Sequence, residues 1–427
     1  MTEIGETETE AKAEPAAATG TATGAGTVTG AGAVSCPFDF SEGLEFDPSL
    51  ADLMSRGPVS RIRLPYGDEA AWLVTGFEGI RQVTTEARLS RAGVVGRDYP
   101  RMTPEPIVSA ESVNVLDPPH STRLRRLASQ AFTKRHVERM RPAVAGVAGR
   151  LLDAMEEHGP PADLARHLSL PLPEETICEL LGVAPADRER LQRCTHQLLA
   201  TAPDRREAAV AAKRELLAYF RELTEERRRA PGDDLISTLA AAREGDDVLG
   251  DQELAVMALT LMLSGNDTAT CEISDIVYTL LTRPALLERV RSRPETLPRV
   301  LDELLRHIPF RKGVGIPRLA TEDVEIAGVT IRQGEYVHVS YLTANRDPAR
   351  FDDPDALDPD RPATPHMTFG WGNHRCIAVP LAMAELEIAI GMLLARFPGL
   401  RLAVPAEELT WDTETIRRFP NELPVAW

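Results

Sequence analysis

Phe369-Gly370-Trp371-Gly372-Asn373-His374-Arg375-Cys376 is the stretch whose reading decides the fold. Two glycines one residue apart let the backbone pass close to something flat or bulky. Cys376 follows, and a helix pattern with Pro380 in its first turn comes directly after it. At a helix N-terminus, free amide N–H groups and the dipole favour a thiolate, and a thiolate fixed in such a turn suits metal ligation. A lone cysteine after a turn reads more simply as a buried structural residue; the eight-residue context turns it into a ligand. Cys36, Cys178, Cys194 and Cys271 show neither metal-ligand spacing nor a CxxC pair and read as packing or tail residues. With five cysteines in 427 residues, no disulfide framework is expected, which fits a reducing cytoplasm.

Outward from this loop, the sequence reads as mainly α with small β-sheets. A last helix is expected from Val379 to about Phe397, and an Asp/Pro-rich loop from Asn345 to Pro365 precedes the glycine turn. Short strands are expected at 324–326, 329–331 and 336–340, and a hairpin joins 59–64 to 71–75 around Tyr66-Gly67-Asp68. From Arg123 to about Leu305 apolar residues recur at helical spacing. Gln252 to Thr282 lacks proline, starts after Asp251 as a cap and stops before Pro284, giving a helix about 45–50 Å long. Residues 1–36 hold five Glu, one Lys and little that can pack, so they read as a disordered tail, and 37–427 as one catalytic domain. A net charge of −17 argues against nucleic acid. The most apolar run, Leu254 to Leu263, is too short to span a bilayer, which takes roughly 20 apolar residues. A cytoplasmic protein is expected.

Further motifs agree with the loop. Glu303 and Arg306 stand at i and i+3 in Glu303-Leu304-Leu305-Arg306, where a carboxylate and a guanidinium meet on one helix face. Ser264-Gly265-Asn266-Asp267-Thr268 puts polar residues in the middle of the long apolar helix. No phosphate loop, GxSxG elbow or dinucleotide fingerprint is present, so no domain of this chain is expected to bind flavin or nicotinamide.

Taken together these stretches resemble the cytochrome P-450 family. The glycine turn matches its FGxGxHxC haem loop, Glu303 to Arg306 its ExxR, with Arg361 completing the triad, and Ser264 to Thr268 its AGxDT-type stretch. Ala344-Asn345-Arg346-Asp347-Pro348 and Asp117-Pro118-Pro119 with Arg123-Leu124-Arg125-Arg126 resemble its bacterial members. The resemblance implies a single-domain fold with the long helix over haem b (iron protoporphyrin IX). Cys376 is then the axial thiolate, a ligand that favours O–O cleavage. Phe369 belongs to the haem loop, Gly265 clears a side chain from the haem face, and Arg125, Arg318 and His374 hold the propionates. Thr268 is expected to bond back to a carbonyl one turn earlier, and with Asp267 to deliver protons. Three positions depart from the pattern: Ser121 stands where a propionate-binding histidine is common, with His120 displaced by one, Ala378 replaces a glycine, and Ala269 a second threonine.

The same resemblance implies a ferredoxin and ferredoxin reductase as donors, with Arg123, Arg126, Lys134, Arg135 and Arg375 as a basic docking patch. The pocket is expected between Val94–Val115, Leu191–Arg205, Met257–Asn266, Gly313–Ile316 and Thr413–Arg417. Met102, Met257, Met262 and Ile416 serve as soft wall, Gly313 and Gly315 leave room, and Arg311 or Lys312 bonds a planar guest. Stretches 57–62, 308–348 and 400–427 look like actinobacterial members that oxidise aromatic secondary metabolites. The expected substrate is therefore a small aromatic natural product: first a tryptophan-containing cyclodipeptide that is oxidatively coupled, second an aromatic polyketide that is hydroxylated or biaryl-coupled. Readings from other classes are a haem-thiolate protein that does not activate dioxygen and a haemless binding protein.

Overall fold

The computed structural model describes residues 33–35, 38, 43–107, 110–311 and 313–427. The expected tail lies almost wholly outside these residues, as do Cys36 and Lys312. Eight helices of ten or more residues carry the framework among the described residues: α1 His120–Ser129, α2 Lys134–His158, α3 Pro171–Leu180, α4 Pro185–Leu199, α5 Arg206–Arg229, α6 Asp251–Leu281, α7 Leu297–His307 and α8 Val379–Arg396.

Helix α6 is the spine. Its cap is Gly250 and not Asp251: the Gly250 N–H donates to Glu253 Oε2 at 2.8 Å, satisfying an orphan donor of the first turn. The helix then runs 31 residues without a break, and twenty of its side chains are buried, as expected for a helix apolar on all sides. Leu254 to Met262 pack with α1, α4 and α5 in one apolar core. Cys271 to Leu280 pack with α2, α7 and α8 in a second. Each buried Leu or Ile contributes about 1.5–3 kcal/mol, so the rod is held over its whole length.

A six-stranded sheet takes β1 Val34–Ser35, β2 Val59–Arg63, β3 Ala71–Val74, β4 Leu89–Ser90, β5 Arg318–Ala320 and β6 Tyr336–Val339 in the order β1-β2-β3-β6-β5-β4. The hairpin forms as expected, with Val59 opposite Val74 and Ile62 opposite Ala71. Gly67 at its turn has φ +87°, and a Cβ there would lie 2.6 Å from the Tyr99 carbonyl, so only glycine fits. Antiparallel β4–β5 pairing puts Ser90 opposite Leu319.

The clamp built on Glu303 positions the cysteine loop. Arg306 Nε donates to Glu303 Oε2 at 2.8 Å and Nη2 to Oε1 at 2.7 Å, both side chains being buried. Its other donors reach the carbonyls of Asn345 (2.8 Å), Pro354 (2.9 Å) and Ala356 (2.9 Å). Arg361 Nε lies 3.4 Å from Glu303 Oε1, and the Asp358 amide donates to the same oxygen at 2.9 Å. A buried pair satisfied on this scale avoids the desolvation penalty of a bare one. Asn345 continues outward: its Oδ1 accepts from the Met367 amide at 2.6 Å and its Nδ2 donates to Thr368 Oγ1 at 2.9 Å. Thr368 is the residue before Phe369, so the clamp fixes where the loop begins.

Candidate active site

The loop from Phe369 closes when the Cys376 amide donates to the Phe369 carbonyl at 2.8 Å. Gly370 and Gly372 have φ of +74° and +66°, and a Cβ on Gly372 would lie 2.5 Å from the Thr84 carbonyl oxygen. The glycines are therefore dictated by backbone shape as well as by approach. Helix α8 is capped by Ala378, so Cys376 sits two residues ahead of the cap. Its sulfur meets the Ala378 amide, with Arg125 and Arg375 close by. Burial nevertheless pushes the thiol above its ordinary range, and these favourable neighbours only partly offset it. The charge of a bound metal would add to these neighbours in favouring the thiolate. Although groups of the loop crowd its sulfur, the Cys376 residue is exposed to solvent, whereas Cys178, Cys194 and Cys271 are buried, in keeping with their packing role.

Ile377 and Ala378 pack on the core shared with the first half of α6, which brings the loop and the long helix together. Along α6, Thr260, Ser264 and Thr268 follow one another at four-residue spacing and are at least partly open, with Ser264 exposed. The Cβ position of Gly265 lies 3.2 Å from the Ile177 side chain, so the missing side chain lets α3 approach α6. The Thr268 back-bond is likewise not formed among the described residues, and the helix is unbroken there.

Asp267 is buried between two guanidiniums. Arg417 Nε reaches its Oδ1 at 2.5 Å and Arg311 Nη2 its Oδ2 at 3.3 Å. Arg311 thereby faces Asp267 and stays partly exposed. The partners are remote in sequence, and the one local signal was that an acid inside an apolar helix demands a cation.

Arg125 and Arg318 both lie close to His374. Arg125 Nη2 donates to the Arg375 carbonyl. Arg318 is buried beside the Tyr341 hydroxyl, and its guanidinium forms no ion pair among the described residues. His374 Nδ1 is also buried and unpaired; burial first, then Arg91, Arg318 and Arg125, push the imidazole down to about 2, so it is neutral. A buried guanidinium without an ion pair, set with a second arginine near the cysteine loop, is the donor set that a carboxylate-bearing haem needs, and the residues fit that group. His120 is exposed at the start of α1, while Ser121 is buried with its hydroxyl unpartnered. Phe369 is half-buried and packs on the second helical core, 6.1 Å from the His366 ring.

The pocket segments meet, with altered lining. Ser112 Oγ lies 3.2 Å from Thr260 Oγ1, and the Thr201 amide donates to the Glu414 carbonyl at 3.0 Å. Met257 and Met262 are core residues, correcting their assignment to the wall. Gly313, at φ +86°, is covered by Met102, whose Cγ would be 2.6 Å from a Cβ; at Gly315 a Cβ would meet nothing within 4 Å, so only the second leaves room. In the basic patch, Arg123 pairs with Asp247 (2.7 Å) and Glu253 (2.6 Å), and Arg126 with Glu244. Lys134, Arg135 and Arg375 remain exposed.

A family model for cytochrome P-450 matches residues 293–401. Over 394 residues the chain is 44% identical to nocardicin C N-oxygenase of Nocardia uniformis subsp. tsuyamanensis, covering 92% of this chain and 98% of that one. It is 42% identical over 386 residues to biflaviolin synthase of Streptomyces coelicolor, covering 90% and 94%. A crystal structure of a cytochrome P-450 with biaryl coupling reactivity is 58% identical, with a TM-score of 0.90 over 92% of this chain and 99% of that one. The chain belongs to the cytochrome P-450 family. It is a haem-dependent monooxygenase of the kind that hydroxylates, epoxidises or couples secondary metabolites. Among the described residues, no helix is long and apolar enough to cross a membrane.

Proposed function

We propose that this enzyme joins two aromatic secondary-metabolite molecules through a new C–C bond. The observation that carries this reading is the 58% identity, over 92% of the chain, to a cytochrome P-450 with biaryl coupling reactivity. Similarity to biflaviolin synthase supports it. In the coupling, two aryl C–H bonds break, one aryl–aryl bond forms, and the two electrons and two protons lost by the pair, with two electrons from the ferredoxin and two protons from solvent, reduce dioxygen to two waters. Haem b, bound through Cys376, supplies dioxygen activation. Arg125, Arg318 and His374 hold its propionates, and Phe369 frames the loop. Thr268, open on the α6 face, presents a hydroxyl that can pass a proton, and Asp267 relays protons while Arg417 and Arg311 hold its carboxylate in place. A ferredoxin, reduced by its reductase, donates electrons at the face of Lys134, Arg135 and Arg375, and the acidic, cysteine-poor chain works in the cytoplasm.

The purified holoenzyme, with NADPH, ferredoxin and ferredoxin reductase, should be offered tryptophan-containing cyclodipeptides and phenolic polyketides in parallel. Product of twice the substrate mass less two hydrogens supports coupling and shows which aromatic class is used. Product carrying one added oxygen, with no dimer from either class, overturns coupling in favour of hydroxylation.

A further inference from the structure

Beside the three expected propionate ligands stands a fourth cation. Arg91 follows Ser90, and because Ser90 pairs with Leu319, Arg91 lies across the end of the sheet from Arg318. Both are buried. Arg91 Nη1 donates to the Asn114 carbonyl at 2.9 Å, but its Nε has no partner among the described residues, and the Arg318 guanidinium has the neutral Tyr341 hydroxyl beside it and no ion pair. Two like charges facing each other in a desolvated place is a costly arrangement unless something anionic lies between them.

The protein brings in one carboxylate, Asp117. It accepts from the Ser90 hydroxyl and from the amides of Arg91 (3.0 Å) and Ala92 (3.3 Å), so it secures the backbone of this turn. Arg91, Arg318 and Arg125 set against Asp117 leave an excess of two positive charges. A haem ends in two carboxylates, which cancel that excess. Ser121, short and uncharged, cannot make the contact that a histidine makes at its position.

We propose that Arg91 is a haem-propionate ligand of this enzyme, supplying the contact that Ser121 does not. The proposal rests on the haem-thiolate reading above. Arginine suits the task because its planar fork meets a carboxylate through two parallel bonds.

The test is haem retention. Ferric holoenzyme is mixed with excess apomyoglobin and haem transfer followed by the Soret band, for the parent, Arg91→Gln, Arg91→Lys and Arg318→Gln. Far-UV circular dichroism and the ferric/ferrous midpoint potential are recorded beside it. Arg91→Gln should lose haem on the order of 10-fold faster, the worth of a charge-assisted bond, with an unchanged helical signal and a more negative midpoint. Arg91→Lys should lie between the two, and adding Ser121→His to Arg91→Gln should slow the loss again. Should Arg91→Gln not fold, Arg91→Lys alone carries the comparison, and parent-like haem loss together with a parent-like midpoint in it overturns the proposal. Haem kept by Arg91→Gln as well as by the parent, while Arg318→Gln loses it, overturns Arg91 as a ligand and leaves the haem reading intact. Unchanged retention in both variants overturns the propionate reading of the whole cluster. An effect of Arg91→Gln confined to substrate-induced Soret shifts overturns the proposal by making Arg91 a substrate contact.

Discussion

Asp267 and Arg417 offer a sharp energetic test, because each is buried and each answers the other's charge. Changing Asp267→Asn removes the carboxylate that Arg417 Nε meets at 2.5 Å and Arg311 at 3.3 Å. Breaking a buried pair from one side costs about 3–5 kcal/mol, because an uncompensated charge stays behind. Asparagine keeps an oxygen for Arg417 Nε, and Arg311 is about one-third exposed and can turn to water, so the loss belongs at the low end, about 3 kcal/mol. Arg417→Gln leaves Asp267 with Arg311 alone and should cost about 2 kcal/mol. In the double variant a neutral amide pair replaces the ions, and the total should be about 2 kcal/mol, so the two residues couple by about 3 kcal/mol. Urea unfolding of the holoenzyme, followed by both the Soret band and circular dichroism, measures the cycle. Because the pair is buried, added salt should change the coupling little. Single-variant losses that sum to the double-variant loss within about 0.5 kcal/mol would refute the reasoning.

Four further expectations follow from particular residues. Glu385 is fully buried with Oε1 unpaired, and burial pushes its carboxyl up to about 8. The folded state thus binds a proton that the unfolded chain releases above its ordinary carboxylate range, so stability falls as pH rises toward 8. Glu385→Gln should raise the urea midpoint at pH 8 and leave it nearly unchanged at pH 5, and equal shifts at both would show that Glu385 is solvated. Gly372→Ala must carry a side chain at φ +66° against the Thr84 carbonyl, which should cost about 1–3 kcal/mol and lower the haem content of purified protein. Gly265→Ala should shift stability by less than about 1 kcal/mol, since helix propensity offsets the pressure on Ile177, and should leave the carbon monoxide difference spectrum as it is; an altered spectrum would turn that position back toward the haem. Thr268→Ala should leave stability within about 0.5 kcal/mol, since its hydroxyl holds no part of the helix, while product formation falls.

Local chemistry carried much of this architecture into the sequence. The i, i+3 spacing of Glu303 and Arg306, the glycines at 370 and 372, and the proline-free run through α6 each impose their geometry on immediate neighbours, so they can be read from a short window. Partners brought in by folding could not. Arg417 and Arg311 reach Asp267 from other segments, and Asp247 takes Arg123 away from the docking face. Periodicity showed that Met257 and Met262 stand on an apolar helix, but on a rod buried from several sides it does not say which side faces a pocket. Gly265 was legible as a place needing room; that the room is taken by Ile177 depends on how α3 crosses α6.

Much of the grip on the irregular segment between Ala344 and Arg361 is taken on its main chain. Arg306 takes the carbonyls of Asn345, Pro354 and Ala356, Arg361 those of Asp353 and Ala356, and Arg299 those of Pro359 and Asp360. Every amino acid presents a carbonyl, so such a grip ignores the identity of what it holds and registers only its count. Exchanging exposed side chains along this stretch should be nearly free. Inserting or deleting one residue should slide each carbonyl past its guanidinium and unseat the cysteine loop downstream. Here the arginines work as a ruler for chain length.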